Sequence, residues 1–319
     1  MTTNLSEVLA SQRGTYPRTT GAIEQFLTSG DLLAPSIRYL IANDGDEFWT
    51  NAEEVLSVFA MLTGTDYERR LEALHRYTYM YLQTQVVYTR SGRYASSSFD
   101  DVRAKVYENA EVMNGYYLDG LYLSQAFWPG HLRVNRFFRN EFVKRVPAGA
   151  RFLEVGVGHG WFFSEMLLRV SNSRGTALDI SPFSINYAEA VTRVRGVDPA
   201  RYTMRQGDAL RDLGVPRGTL DASICGEVLE HVEQPRQLVE RIRDSLRPGG
   251  LAYFSAPAKS DAVDHIYEFS DADKVFEVVA QGGLIPVATQ TLRLHDWNTT
   301  GRNWDPTVLV MVVGQKSAS

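Results

Sequence analysis

Two patterns of apolar and polar positions divide the chain. Beyond about residue 147, short apolar runs alternate with amphipathic stretches, whereas the earlier residues repeat the wider spacing of helical faces. Phe152, Leu153 and Val155 suit a parallel strand buried on both faces. That run passes through Glu154 into Gly156, Gly158 and Gly160 (FLEVGVGHG), a turn whose backbone a ligand can approach closely, and residues 161 to 170 read as the helix after it. Further strands are predicted at 175 to 179, 202 to 206, 220 to 225 and 251 to 255, with a helix from 235 to 246 and an Arg-Pro-Gly-Gly turn before the last of them. Strand and helix in this alternation predict a parallel sheet with ligands at the carboxyl ends of its strands. Two more strands, 284 to 294 and 306 to 313, flank a loop.

The first 146 residues read as an all-α N-terminal domain, leaving an α/β domain from 147 to 319. Thr50-x-x-Glu53 has the form of a capping box, predicting a helix through Leu62. After Gly64 a long helix is expected from Asp66 to Tyr88. Ser98 is expected to cap another, stopped by Asn114-Gly115, and a last pair breaks at Pro129-Gly130. The connection at 147 to 149 is short, which implies docking rather than tethering. Tyrosines crowd these helices: Tyr77, Tyr79, Tyr81, Tyr88, Tyr94, Tyr107, Tyr116, Tyr117 and Tyr122. Such a cluster can line a pocket, form a core or make a homodimer interface. Tyr117 and His131 are candidate substrate contacts, in a segment whose aromatics could wall the cleft.

Composition narrows the function. With 319 residues, 44% of them hydrophobic, the chain can bury a large core and exceeds one α/β unit. Its single cysteine, Cys225, excludes an internal disulfide and reads as a packed thiol. A net charge of -5 offers no general attraction to nucleic acid. No run approaches a membrane span and no signal peptide is evident, so a cytoplasmic location and no membrane partner are expected.

The segments FLEVGVGHG, ALDIS, RQGDAL, DASICGEVLEHV and LRPGGLAYFSAP, in this order, resemble class I S-adenosylmethionine-dependent methyltransferases of the ubiquinone-biosynthesis type. The resemblance implies a Rossmann-like sheet whose final strand inserts antiparallel beside the sixth. It implies S-adenosylmethionine as the methyl donor: Gly156, Gly158 and Gly160 on the methionine part with Glu154 in support, Asp179 and the adjoining Ile180 at the ribose, Asp208 and Ala209 at the adenine. Helix capping is the alternative reading of the two aspartates. The glycine spacing, one residue short of G-x-G-x-x-G, opposes a nicotinamide-dependent oxidoreductase.

Glu227-x-x-Glu230-His231 and the later Asp264-His265 form a second constellation. Two carboxylates and two imidazoles suit a divalent cation. By resemblance to small-RNA 2′-O-methyltransferases and ubiquinone-pathway O-methyltransferases, Glu227, Glu230, His231 and His265 would ligate a magnesium-like ion. Without a metal, His231 or His265 becomes the general base, with Glu227 beside it. The implied reaction is transfer of a methyl group to a small molecule, foremost to oxygen, with nitrogen or carbon open, in specialised metabolism. A donor-binding protein without turnover is the remaining alternative. Trp297 and Trp304, in the loop before the last strand, are further candidate substrate contacts.

Overall fold

Seven strands form one sheet in the order β3-β2-β1-β4-β5-β7-β6. The computed structural model describes residues 5–30, 32–96, 98–293 and 306–318. The strands are β1 (Arg151–Val155), β2 (Arg174–Asp179), β3 (Tyr202–Gln206), β4 (Leu220–Gly226), β5 (Leu246–Ala258), β6 (Ile285–Arg293) and β7 (Val308–Gln315). The first five pair in parallel; β7 pairs antiparallel with both β5 and β6. Chain order reverses between β1 and β4, so their carboxyl ends open a crevice at which the helices that follow diverge.

β5 begins earlier than its apolar pattern suggested. Arg247-Pro248-Gly249-Gly250 is not a turn before the strand but an irregular stretch within it, where the register against β4 shifts between Leu220 and Ala222. Gly249 takes φ 76° there. A bulge of this kind keeps a strand paired on both sides of residues that cannot sit in a regular ladder.

The N-terminal helices are α1 (Leu5–Gln12), α2 (Pro17–Thr28), α3 (Ala34–Thr63), α4 (Tyr67–Leu71), α5 (Ala73–Ser91), α6 (Phe99–Val102), α7 (Ala110–Val112), α8 (Leu118–Phe127) and α9 (Pro129–Phe137). Those of the α/β part are α10 (Trp161–Arg169), α11 (Pro182–Val194), α12 (Pro235–Ser245) and α13 (Ala272–Gln281). The expected capping box at Thr50 does not start a helix, because α3 runs through it. Glu53 caps a different helix instead: its carboxylate accepts from the amides of Arg18 (3.2 Å) and Thr19 (2.9 Å) in the first turn of α2. Asn114-Gly115 does not stop a helix either. It lies inside a π-helical segment, Met113–Tyr117, which follows a first one, Arg103–Tyr107. The break falls at Asn109, whose side chain accepts from the amides of Glu111 and Val112.

Helices and sheet share a hydrophobic core. Phe26, Phe48, Phe59 and Phe127 of the helical region belong to the same buried cluster as Phe152, Trp161, Phe163 and Tyr253. Phe138 stacks edge-on against Tyr253 at 5.0 Å between centroids. A buried ion network strengthens the junction. Glu165 on α10 accepts from Arg139, Arg169 and Arg195, and Arg195 also reaches Glu54 on α3. Burial would raise the Glu165 carboxyl, but the guanidiniums outweigh it and hold the group at about 2. Among the described residues, no helix is long and apolar enough to cross a membrane.

Candidate active site

A cavity of about 560 Å³ lies at the carboxyl ends of β1, β2 and β4, roofed by the N-terminal helices. The glycine loop forms its floor, and its three glycines are glycine for different reasons. A Cβ on Gly156 would meet Val228 Cγ2 at 2.4 Å, and one on Gly160 would meet the Ala188 backbone at 2.8 Å. A Cβ on Gly158 would meet nothing nearer than Leu121 at 3.9 Å. Gly156 and Gly158 line the cavity; Gly160 does not, being turned against α11 at the start of α10.

Glu154, Asp179, Ile180, Asp208 and Ala209 all line the same cavity. Asp179 accepts from the Gly158 amide (2.9 Å) and the Ser181 amide (2.8 Å), which locks the loop to the end of β2. Burial nevertheless raises its carboxyl above the ordinary range. Asp208 accepts from the Leu210 amide at 2.8 Å, so the capping reading is present at that position beside the cavity reading. Glu154 is buried with Oε2 unpartnered, and burial, reinforced by Asp179, pushes its carboxyl well up.

Across the cavity stand Glu230, His231 and His265, with one ligand atom of each within 4.8 Å of the others. Glu230 and His231 occupy a single 3-10 turn after β4. The Glu230 carbonyl accepts from the amides of Ile266 and Tyr267, both at 2.9 Å, which draws the segment after β5 onto that turn. Each imidazole donates its Nδ1 proton to a backbone carbonyl, His231 to Asp264 (2.8 Å) and His265 to Ser260 (2.9 Å). That fixes both tautomers with a lone pair on Nε2. Neither buried carboxylate oxygen of Glu230 has a hydrogen-bond partner, and Oε1 stands 3.6 Å from His231 Nε2. Burial and then the charge of Glu227 raise the Glu230 carboxyl far above its ordinary value, and burial lowers His265 to about 4. Glu227 lines the cavity at φ 53° with Oε1 unpartnered, yet stands outside the close three-residue group.

Tyr117 and His131 also line the cavity. Tyr117 donates to Asp264 Oδ2 at 2.5 Å, and Tyr107 donates to the same oxygen at 3.0 Å. Burial would raise the Asp264 carboxyl, but the neighbouring His231 and His265, and then these hydrogen bonds, outweigh it and hold the group below the ordinary range. Trp128 packs against Tyr81, Tyr77 and His131 at 5.3, 5.5 and 5.1 Å between centroids, forming an aromatic wall. The candidate contacts Trp297 and Trp304 lie outside the described residues. One wall residue escaped the sequence reading altogether. His159, inside the glycine loop, lines the cavity while its Nδ1 accepts from the Trp161 amide at 3.1 Å. Its place between two glycines was the available signal.

Residues 153–254 match the family model described as "Methyltransferase domain". The ubiquinone biosynthesis O-methyltransferase of Xanthomonas axonopodis pv. citri is 32% identical over 117 residues, 36% of this chain and 46% of that protein. The Xylella fastidiosa protein of the same name is 37% identical over 114 residues, 35% and 44% respectively. The alignments therefore span less than half the length of these curated relatives. Two solved structures share the fold. Phosphoethanolamine N-methyltransferase 2 of Haemonchus contortus, in complex with S-adenosyl-L-methionine, aligns with TM-score 0.52 and 15% identity, over 70% of this chain and 61% of that one. The [4+2]-cyclase SpnF aligns with TM-score 0.51 and 16% identity, over 60% and 83%. Sheet order, glycine loop and family model agree: the chain carries a class I S-adenosylmethionine-dependent methyltransferase domain beneath a helical N-terminal region.

Proposed function

We propose that the protein transfers the methyl group of S-adenosylmethionine to a hydroxyl of a small molecule held under the aromatic wall. The observation that carries this reading is the convergence of the His231 and His265 Nε2 atoms and a Glu230 carboxyl without a hydrogen-bond partner on the cavity that the glycine loop also lines. Donor and acceptor then face each other inside one enclosed space.

The donor fits the residues present: a cradle open at Gly158, a carboxylate at the end of β2 and a second acidic side chain, Asp208, after β3. Bound there, it supplies an electrophilic methyl group on a positively charged sulfur. The chain's residues have three tasks. Asp179 and the loop orient the nucleoside, and the tyrosine-rich roof excludes water. His231 or His265, through Nε2, takes the proton of the attacking hydroxyl. Asp264 holds the roof over them through Tyr107 and Tyr117.

The same three residues suit a divalent cation, because a buried carboxyl without hydrogen-bond partners and two oriented imidazoles are the donors such an ion takes, with Glu227 lining the cavity outside that close group. A bound ion would acidify the acceptor hydroxyl. The fold alone does not decide the reaction, as the cyclase shows; the O-methyltransferase relatives and the base-bearing wall favour oxygen as the acceptor atom.

The test is S-adenosylhomocysteine release from the donor with a panel of phenols, catechols and amines. Glu230→Gln and His265→Gln should each lower turnover of the best hydroxyl acceptor by about 10²-fold or more while donor affinity holds. Turnover only with amines, or variants as active as wild type, would overturn the hydroxyl reading.

A further inference from the structure

His265 is the one member of the close three-residue group that stands on neither strand nor helix. It lies in the irregular segment between β5 and α13, so the direction of its ring is not set by a regular element. Ring contacts with His231 (5.0 Å) and Tyr94 (6.1 Å) flank it, and the bond from Nδ1 to the Ser260 carbonyl (2.9 Å) decides which edge faces the cavity. That carbonyl belongs to the peptide group joining Ser260 to Asp261. In a trans peptide the C=O and N–H point in opposite directions from one rigid plane. Whatever grips the Asp261 amide therefore aims the Ser260 carbonyl.

Gln85, on α5 of the helical region, grips it. Gln85 Oε1 accepts from the Asp261 amide at 2.9 Å, while Gln85 Nε2 donates to the Lys259 carbonyl at 3.2 Å and to Thr307 Oγ1 at 3.1 Å. The side-chain amide has only one workable orientation, because a peptide N–H can only donate and a carbonyl can only accept. Gln85 is thus fastened to both peptide groups that flank the Ser260 Cα. It is fully buried, and Ser260 and His265 are 2% and 7% exposed, so these bonds are made where a lost partner is costly. Between them Lys259 takes φ 55°, a conformation that a lysine does not favour by itself and that its surroundings impose.

Resting on the role proposed for His265 above, we infer that Gln85 is a positioning residue for methyl transfer: through the Ser260–Asp261 peptide it sets the His265 ring so that Nε2 faces the cavity. Ser260 and His265 line the cavity, and Gln85 acts on them from behind it. The helical region therefore does more than roof the cleft. It holds in place a side chain that acts inside it.

Turnover of the best hydroxyl acceptor and calorimetry with S-adenosylmethionine, both on the full chain, test this. Gln85→Met keeps the length of the side chain and loses its polar contacts. Gln85→Glu keeps an acceptor for the Asp261 amide but sets a second oxygen against the Lys259 carbonyl, and it takes the place of the first variant if that one does not fold. Thr84→Val removes the hydroxyl that donates to the Asp261 carbonyl at 3.1 Å, one peptide farther on, and controls for loosened packing. The Gln85 variant should lower kcat about tenfold or more, with donor affinity, and both quantities in Thr84→Val, within about twofold of wild type. Placed in a His265→Gln background, it should cost less than about twofold further, because the ring through which it acts is gone. A full tenfold loss in that background, an equal loss in Thr84→Val, or wild-type kcat in the Gln85 variant would overturn the inference. His265→Gln as active as wild type would instead refute the role of His265 beneath it, and the inference with it.

Discussion

At the scale of single residues, the glycine loop gives the sharpest contrasts. Gly160→Ala places a methyl group 2.8 Å from the Ala188 backbone at φ 76°, and backbone cannot swing aside as a side chain can. The strained conformation alone costs about 1 to 2 kcal/mol, so the variant should lose at least about 2 kcal/mol by urea unfolding. Gly158→Ala carries a comparable strain with open space beyond, so it should lose about 1 kcal/mol of stability but most of its donor affinity. Equal behaviour of the two variants would contradict the separation of packing glycine from cradle glycine. Asp179→Ala should weaken the donor by about 2 kcal/mol in calorimetry, since a charge-assisted acceptor is removed; unchanged affinity would displace the ribose from this strand end. The strand, the acidic positions and most of the loop were legible because a buried apolar run must end in a special turn. Gly160's packing role and the His159 ring were not legible, since both depend on where α11 and the roof come to rest.

At the scale of elements, the roof is fastened by hydrogen bonds more than by regular helix. Tyr107 and Tyr117 each end a π-helical segment, and both donate to Asp264 Oδ2. An extra residue per turn in each segment re-aims the side chain at its end, which an ordinary helical periodicity does not foretell. That is why one helix with a stop at Asn114-Gly115 was expected where two π segments broken at Asn109 occur. The Glu53 cap was hidden for a related reason: its acceptor groups serve a helix distant in sequence. The double variant Tyr107→Phe, Tyr117→Phe leaves Asp264 buried without its two hydroxyl partners, a loss of roughly 1.5 to 3 kcal/mol for each bond to a charged group. Hydrogen exchange over residues 99 to 117 should then rise at least tenfold, with the sheet unaffected. Unchanged protection would mean that apolar packing around Val102, Val106, Met113 and Leu118 holds this segment by itself.

For the whole molecule, the response to acid is a contest between buried groups of opposite sign. Burial raises the carboxyls of Glu154, Glu227, Glu230 and Asp179, and holds Asp261 at about 7. A carboxyl raised by folding binds protons more readily in the folded chain, so its contribution to stability is lost as pH rises. His131 and His159 act the other way. Their folded values, about 4 and about 3, lie below the ordinary 6.5, so between those limits the unfolded chain binds the extra protons and stability falls as pH falls. Wild-type stability alone cannot display the histidine contribution, but the difference from His131→Asn, His159→Asn can. Measured without donor, the variant should gain on wild type as pH drops from about 6.5 toward 4, by about 1.4 kcal/mol per pH unit for each histidine at most. Glu165, held at about 2, enters only below 4.5 and affects both proteins alike. A stability difference that stays constant across that range would show that the two rings take up protons in the folded chain.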